Sequence, residues 1–248
     1  MVDEGVARDP WSGPPAVAPA VSGRDDARLD AVPTETPRPA IDIRAILFTV
    51  ADGALLVALG RRDVGWGLPR GDPSPLDTLD ASARRIVREG TGLQEQYLEQ
   101  LYTLSVRETP DWTIIVGYMA LVCSGAAPPP PQAGAWHDVT TLPPLSHADQ
   151  MVIDYALVRL RAKLGYTNVA FHLLPQTFTL SELQGAYETI LSRRLDKRNF
   201  RRRVIASGIL APTSEKRRDR SHRPAVLYRF RADEDHETYL TPPWAEGA

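Results

Sequence analysis

The sequence predicts a mixed α/β domain followed by a smaller unit of two helices and a β-hairpin. Between residues 41 and 165, segments rich in β-branched and aromatic residues are interspersed with two segments of helical periodicity, a pattern typical of an α/β domain. A basic segment with its own apolar residues follows, between residues 166 and 232. Residues 1–40 differ from both, because they hold seven prolines and seven alanines without periodicity, which favours a disordered arm.

The first domain begins with a predicted β-hairpin, since "AIDIRAILFTV" and "ALLVALG" flank the turn sequence "ADG". The segment "LDTLDASARRIVREG" has helical spacing and is expected to end at Gly90 and Gly92. Two more strands, "YLEQLYTLSV" and "TIIVGYMALV", precede a loop with four prolines at 128–131. A second helix, "ADQMVIDYALVRLRAKLG", ends at Gly165. Strands with a helix on each side predict a mixed α/β domain at 41–165.

The second unit has the signals of a winged helix-turn-helix. "FTLSELQGAYETIL" begins with a capping box formed by Thr179 and Glu182. After a short turn, "DKRNFRRRVIASG" predicts a second helix with Asp196 as its N-cap and Gly208 after its end. "APTSEKRRDRSHRPAVLYRF" predicts two short strands around a basic loop, which is the wing. We assign this domain to residues 166–232 and an acidic tail to 233–248.

Composition excludes several classes of protein. The chain has 43% hydrophobic and 24% charged residues, as in soluble globular proteins. No apolar run approaches the ~20 residues that cross a bilayer, and the N-terminus lacks the apolar region of a signal peptide. Cys123 is the only cysteine, which excludes an intrachain disulfide and a cysteine-based zinc site. We therefore expect a cytoplasmic protein without a membrane partner.

Positive charge is concentrated in one part of the chain. Residues 193–231 hold 14 lysines and arginines but only 3 acids, a local balance of +11, whereas the whole chain has a net charge of −2. Such asymmetry indicates a polyanionic partner. Because Phe200, Val204 and other apolar residues lie within the block, it is expected to be folded rather than a loose tail.

The second helix of this unit predicts contact with double-stranded DNA. Phe200 and Val204 are four residues apart and should face the core, whereas Arg198, Arg201 and Arg202 should form a face able to enter a major groove. The pattern does not divide base contacts from phosphate contacts, although phosphate contact is the more common role for any single arginine. The residues predicted to bind DNA are Lys197, Arg198, Asn199, Arg201, Arg202, Arg203, Lys216, Arg217, Arg218, Arg220, His222 and Arg223.

The stretch "GDPSPLDTLDASARRIVREGTGL" resembles the motif of the Nudix hydrolases, G-x5-E-x7-R-E-U-x-E-E-x-G-U, in which U is aliphatic. The frame aligns without a gap, but several acids are missing. The aligned positions are Gly71, Asp77 for the first glutamate, Arg85, Ile86 for the next glutamate, Val87, Glu89, Gly90 for the last glutamate, Gly92 and Leu93.

The missing acids predict that the chain is not an enzyme. Hydrolysis of a diphosphate needs a divalent metal ion, and magnesium prefers carboxylate oxygens. Acids at positions 86, 89 and 90 would share one helix face, but this chain keeps only Glu89, because Ile86 and Gly90 have no side-chain ligand. We expect no catalytic residues, no side-chain metal site and at most weak hydrolysis.

A wider resemblance covers about residues 41–231. The segments "LYTLSVRETPDWTIIVGYMALV", "LPPLSHADQMVIDYALVRLRAKLGYTNVAFHLLPQTFTLSELQGAYE" and "LDKRNFRRRVIASGILAPTSEKRRDRSHRPAVLYRF" resemble the NrtR family of transcriptional regulators of NAD metabolism. The resemblance implies a Nudix-like α/β/α sandwich with a mixed sheet, followed by a winged helix-turn-helix domain. It also implies a homodimeric repressor of NAD biosynthesis or salvage genes, a palindromic operator, and ADP-ribose or a related NAD metabolite as effector, with no cofactor required.

If the Nudix-like domain binds such an effector, its phosphates should lie near Arg70, Gly71 and Arg85, and Trp66 or Trp112 could stack on adenine. Each assignment has an alternative: Arg85 can orient neighbouring carboxylates, and the tryptophans can be packing residues. The residues predicted to bind effector are Arg62, Trp66, Arg70, Gly71, Arg85 and Glu89.

Two other functions remain open at this point. A working Nudix hydrolase with an accessory basic domain would release AMP from ADP-ribose in a metal-dependent reaction. An RNA-binding protein would fit the charge but would need aromatic residues for base stacking, and the basic block offers only Phe200, Tyr228 and Phe230. The sequence also leaves repressor and activator open.

Overall fold

The computed structural model describes residues 38–108, 111–123, 134–217 and 225–231. Nine strands and four α-helices occur in these ranges. The strands are β1 (Ala40–Ala51), β2 (Ala54–Arg61), β3 (Trp66–Gly67), β4 (Arg70–Gly71), β5 (Tyr97–Glu108), β6 (Asp111–Leu121), β7 (Gly134–Asp138), β8 (Leu210–Arg217) and β9 (Ala225–Phe230). The helices are α1 (Leu79–Thr91), α2 (His147–Lys163), α3 (Leu180–Leu191) and α4 (Lys197–Ala206), and a 3₁₀ helix spans Val169–Leu173.

A seven-stranded mixed sheet forms the centre of the first domain. Its main path runs β3-β2-β1-β6-β5, while β4 pairs with the early part of β1 and β7 pairs with β2. Among the described strands only the pairing of β1 with β6 is parallel; the predicted β1–β2 hairpin is confirmed, and the two further predicted strands, β5 and β6, pair antiparallel with each other. The sequence did not indicate β3, β4 or β7, because strands of two to five residues are too short for visible alternation.

Helices α1 and α2 cover opposite faces of this sheet. Successive side chains of a strand point to opposite faces. On β1, Ile43 and Leu47 accordingly belong to the apolar cluster that contains α1, whereas Ile46 and Phe48 belong to the cluster that contains α2. The predicted α/β/α sandwich with a mixed sheet is confirmed.

Helix α1 has clear start and stop signals. The Thr78 side chain accepts a hydrogen bond from the backbone N–H of Ala81, which caps the first turn. Gly92 caps the other end in the left-handed conformation, at φ 69°. The expected stop at Gly90 is therefore wrong, since Gly90 lies inside the last turn of the helix.

The second unit is a winged helix-turn-helix, as predicted. The capping box of Thr179 and Glu182 starts α3, and the Asp196 side chain caps α4. Strands β8 and β9 form an antiparallel hairpin, and Phe178 adds a one-residue bridge to Tyr228. Phe200 and Val204 of α4 are buried, as their spacing predicted.

One apolar cluster extends from the main sheet through α2 to the interior of the second unit, including Leu160, Leu183 and Phe200. The division into domains at 41–165 and 166–232, and the arm at 1–40, remain predictions. The loop of prolines 128–131 and the tail at 233–248 lie outside the described residues. None of the helices in the described ranges combines the length and apolar character that a membrane span requires.

Candidate functional site

A cleft of about 350 Å³ opens beside the glycine that starts the motif. It is formed by the start of β1, by β4 and the residue after it, by Arg62, and by β5 and β6. Its lining residues are Ala40, Ile41, Asp42, Arg44, Arg62, Arg70, Gly71, Asp72, Val106, Thr113 and Ile115. Three of the predicted effector residues, Arg62, Arg70 and Gly71, therefore line one cleft.

A buried ion-pair network forms the floor of this cleft. Arg44 lies on β1 and is only 5% exposed. Its Nε donates to Asp42 Oδ2 at 2.9 Å and its Nη1 donates to Asp149 Oδ1, also at 2.9 Å. Because a buried guanidinium group without partners is very costly, the two carboxylates are needed to hold Arg44 in place. The network joins β1 to the first turn of α2.

The two other arginines of the cleft are freer. Arg70 Nη1 lies 4.0 Å from Asp42 Oδ2, and about half of its side chain is exposed. Arg62 donates to the backbone oxygen of Leu68 and makes no ion pair with a described residue. Partial burial, together with the nearby positive charge of Arg70, lowers the pKa of Arg62. The cleft therefore carries positive charge that an anion would neutralise.

The motif arginine has a structural role at the rim of the cleft. Arg85 Nη2 donates to the backbone oxygen of Asp72 at 2.9 Å, and its Nη1 contacts Glu89 Oε2 at 3.0 Å. Arg85 thus ties α1 to the segment that follows β4. Neither Arg85 nor Glu89 lines the cleft. The contact of Arg85 with Glu89 fits the alternative role, in which this arginine orients a neighbouring carboxylate.

The motif does not provide a metal site. Ile86 is 3% exposed and lies beneath Gly71, where an added Cβ would be 3.4 Å from Ile86 Cγ1. A Cβ at Gly90 would lie 3.0 Å from Pro69 Cβ. Glu89 is exposed and paired with Arg85. No group of three histidine, cysteine or acidic side chains able to hold a metal ion occurs in the described part of the chain, so magnesium does not fit these residues.

The two tryptophans lie beside the cleft rather than in its lining. Trp66 makes an edge contact with His137, with ring centroids 4.5 Å apart, and the Arg61 guanidinium lies 4.4 Å from the Trp66 centroid. Trp112 Nε1 donates to Ser105 Oγ at 2.8 Å. These contacts match the packing alternative, and stacking of either ring on adenine remains a prediction.

In the second unit, α4 presents a basic face. Lys197, Arg198 and Arg202 are exposed, and no acid among the described residues forms an ion pair with any of them. Arg202 Nη2 donates to the side-chain oxygen of Asn199 at 3.0 Å. Arg201 differs, because it is half-buried and its Nη2 donates to Ser181 Oγ of α3 at 2.8 Å. The exposed face thus centres on Arg198 and Arg202.

The turn between α3 and α4 is held by side chains that the sequence did not single out. Glu188 accepts from the backbone N–H of Leu195 at 2.9 Å and from Gln184 at 3.0 Å, and it pairs with Arg194 at 3.1 Å. The hydrogen bond from Leu195, aided by those from Gln184 and Arg194, lowers the pKa of Glu188. These contacts fix the angle at which α4 leaves α3.

The wing is only partly described. Arg217, at the end of β8, pairs with Glu182 at the start of α3, which ties the hairpin to the helix. Arg203 of α4 is half-buried. The side chain of Lys216 lies outside what is described, as do the predicted DNA contacts Arg218, Arg220, His222 and Arg223.

Sequence reasoning missed Arg44, Asp42 and Asp149. One signal was available, since "IDIR" places an acid and a base two residues apart in an otherwise apolar strand, on one face. Asp149 could not be paired with them, because it lies 105 residues from Arg44 in the chain.

A mixed sheet between two helices, with Gly71 of the Nudix motif in the lining of its cleft and a winged helix after it, defines the class of protein: a Nudix-like fold followed by a winged helix-turn-helix. Residues 170–230 match the family described as "NrtR DNA-binding winged helix domain". A curated relative, the "ADPR responsive transcriptional repressor NtrR" of Acinetobacter baylyi, is 33% identical over 211 residues, which cover 79% of this chain and 84% of the relative. The chain belongs to the NrtR family.

Solved structures agree with this assignment. The crystal structure of Shewanella oneidensis NrtR complexed with a 27mer DNA is similar at a TM-score of 0.67 and 30% identity, covering 77% of this chain and 93% of that chain. A MutT/nudix family protein from Enterococcus faecalis has a TM-score of 0.62 at 19% identity, covering 82% of this chain and 90% of that chain, which supports the fold alone.

Proposed function

We propose that this chain is a DNA-binding repressor of NAD biosynthesis or salvage genes whose Nudix-like domain senses ADP-ribose or a related NAD metabolite. The observation that carries the proposal is the presence, in one chain, of exposed arginines on α4, Arg198 and Arg202, that form no ion pair with a described residue, and of a cleft lined by Arg44, Arg62 and Arg70. The first suits a nucleic acid, and the second suits a phosphate-bearing ligand that is bound but not cleaved. The name of the relative from Acinetobacter baylyi describes a transcriptional repressor that responds to ADPR.

The effector phosphates would bind to Arg62 and Arg70. Both line the cleft; Arg62 forms no ion pair with a described residue, and Arg70 has a long ion pair, of 4.0 Å, with Asp42. Guanidinium groups form paired, charge-assisted hydrogen bonds with phosphate oxygens. Gly71 lines the same cleft, on the strand residue next to Arg70.

Helix α2 provides a physical connection between the two sites. Asp149 in its first turn is bonded to Arg44 on the floor of the cleft. Arg161 in its last turn donates from Nε to the backbone oxygen of Ile190, at the end of α3, at 2.9 Å. A phosphate that draws Arg44 away from Asp149 would loosen one end of a helix whose other end holds the DNA-binding unit.

Strand β1 makes a second connection. Its start lines the cleft, and the turn at its end presents the Gly53 oxygen to Thr189 Oγ1 of α3 at 3.3 Å. Effector and DNA binding would then be coupled reciprocally, each weakening the other by the same factor. In a homodimer on a palindromic operator, two α4 helices would enter successive major grooves about 34–36 Å apart.

The proposal excludes hydrolysis as the main activity. Ile86 and Gly90 replace acids of the motif, and neither residue has a side-chain oxygen that could bind a metal ion. The cytoplasmic location and the dimer belong to the proposal as well.

Fluorescence anisotropy with a labelled duplex from upstream of the chain's own gene tests the proposal, with and without ADP-ribose, at several salt concentrations. Salt must be varied because a basic domain binds any DNA weakly at low salt. We expect tight, salt-tolerant binding that ADP-ribose releases. Binding no tighter than that of a random duplex would contradict the DNA-binding function, and binding that ignores ADP-ribose would contradict the effector.

A further inference from the structure

One large apolar residue lies on the basic face of α4. Ile205 is 54% exposed, whereas its neighbour Val204 is 4% exposed and faces the core. Exposure of an isoleucine on a folded surface leaves apolar area in water, which a partner can remove. A single exposed apolar residue is common on folded surfaces, and Ile205 is distinguished by its place among the exposed arginines of α4 rather than by its exposure alone.

The position of Ile205 matches that of a base-reading residue. Arg198, Arg202 and Ile205 follow the spacing i, i+4, i+7, which places them along one helix face. In the homeodomain, a helix-turn-helix variant, the recognition helix reads the major groove with residues at i, i+3, i+4 and i+7. The i+3 position counted from Arg198 is Arg201, whose Nη2 donates a hydrogen bond to Ser181 Oγ of α3. Ile205 is thus the third exposed member of the reading face.

The flanking charges decide which partner fits. A second copy of this chain would bring Arg198 and Arg202 against the same arginines, which is repulsive, whereas DNA brings phosphates. Within the major groove, the only apolar group that a base pair presents is the C5 methyl of thymine.

Resting on the proposed DNA-binding function, the geometry points to a specificity role for Ile205: we propose that its side chain packs against the C5 methyl of a thymine in each operator half-site. Arg198 and Arg202 would contact phosphates or guanine edges on either side. Binding would bury the side chain and the methyl together, so both contribute to affinity at one base pair. Ile205 is then a sequence-reading residue of α4, beside Arg198 and Arg202.

Single replacement of thymine by uracil tests this inference, because it removes only the C5 methyl and keeps base pairing. A duplex would first be selected from a random pool with the full wild-type chain. Each thymine of that duplex would then be replaced in turn, and affinity measured for wild type, I205A and V226A. Val226 is the matched control, since it is an exposed apolar residue of the same domain, on β9.

We expect one thymine per half-site at which methyl removal weakens wild-type and V226A binding about fourfold, the factor for one buried methyl group. I205A should bind the unmodified duplex with a similar loss and should not respond to uracil at that position. An I205A protein should keep its fold, because alanine favours an exposed helical site.

Two results would overturn the inference while leaving the DNA-binding function intact: wild type that responds to uracil at no position, or I205A that responds as strongly as wild type. Selection that yields no duplex preferred over random DNA would overturn the proposed function itself and this inference with it.

Discussion

Helices α1 and α4 are both short, rich in arginine and capped by a side chain, but their charges have different partners. On α1, Arg85 pairs with Glu89 and Arg84 pairs with Glu95. On α4, Arg198 and Arg202 meet no acid among the described residues. A surface whose cations are already neutralised gains little from a polyanion, whereas an unpaired face gains the full attraction.

Helices α1 and α4 also differ in the residues that they bury. Helix α1 turns Ile86 inward at the place where a hydrolase motif needs an acid, and so this residue packs in the apolar cluster between α1 and the sheet. Helix α4 hides Phe200 and Val204 and leaves its other side available. The pairing of the charges, rather than their number, therefore separates a structural helix from a binding helix.

The largest effect is expected from I86E. This change places a carboxylate at a site that is 3% exposed, beneath Gly71 and against the sheet. We expect the free energy of unfolding to fall by about 3 kcal/mol, because the carboxylate has no buried partner there. Urea denaturation measures the loss, and E89Q on the exposed side of α1 is the control.

The I86E change, in a double variant, also tests the hypothesis that the chain is a hydrolase. If missing acids were the only defect, I86E combined with G90E should release AMP from ADP-ribose in the presence of magnesium. We expect no release of AMP. Metal-dependent release by a folded double variant would contradict this expectation and show that α1 borders a metal site.

The next largest effect is expected when the exposed arginines of α4 are replaced. R198A and R202A should each weaken binding to the selected duplex by about tenfold or more, because a base-contacting arginine contributes about 1–3 kcal/mol. Anisotropy titration at fixed salt gives the affinity. R229A, which removes an exposed arginine on β9, should change it little. Equal losses for all three would mean that general charge, not the α4 face, carries binding.

In the cleft, R70A should weaken ADP-ribose binding by about tenfold, since one charge-assisted hydrogen bond contributes about 1.5 kcal/mol or more. Binding to DNA without effector should not change. Titration calorimetry gives the effector affinity, and R88A removes an exposed arginine of α1 outside the cleft lining as the control. If R70A binds ADP-ribose with unaltered affinity, the phosphates of the effector do not bind in this cleft.

The smallest effect concerns the turn between α3 and α4. The pKa of Glu188 is lowered from 4.5 in the folded chain by the Leu195 N–H and its other donors. A lowered folded-state pKa contributes stability above the unfolded value, and this stability is lost as pH falls through the folded value. Wild type should therefore lose more stability than E188Q between pH 5 and pH 3, in thermal unfolding scans. Parallel curves for the two proteins would contradict this contribution of the Glu188 carboxylate.

Local signals made much of the second unit predictable. The Thr179 capping box, the Asp196 cap and the spacing of Phe200 and Val204 each depend on residues within four positions of one another, and the structure contains all of them. The orientation of Arg201 was not predictable, because it depends on Ser181, which lies on the preceding helix. Helical spacing alone groups Arg201 with the exposed arginines.

The cleft was predictable only in part. Gly71 starts the motif frame and Arg70 directly precedes it, so their place at a ligand site could be expected from the sequence. The Arg44 network joins residues from distant parts of the chain, and no local pattern reports such a pairing. The pairing of β7 with β2 was missed for the same reason, since the two strands are far apart in sequence.

The most direct test of the account is a reciprocal binding measurement. The affinity for the selected duplex would be measured with and without saturating ADP-ribose, and the affinity for ADP-ribose with and without the duplex. We predict that each ligand weakens the other by the same factor, about 5- to 150-fold. If both ligands bind and neither changes the affinity of the other, the cleft and the α4 face are independent sites, and the account of a metabolite-sensing repressor is contradicted.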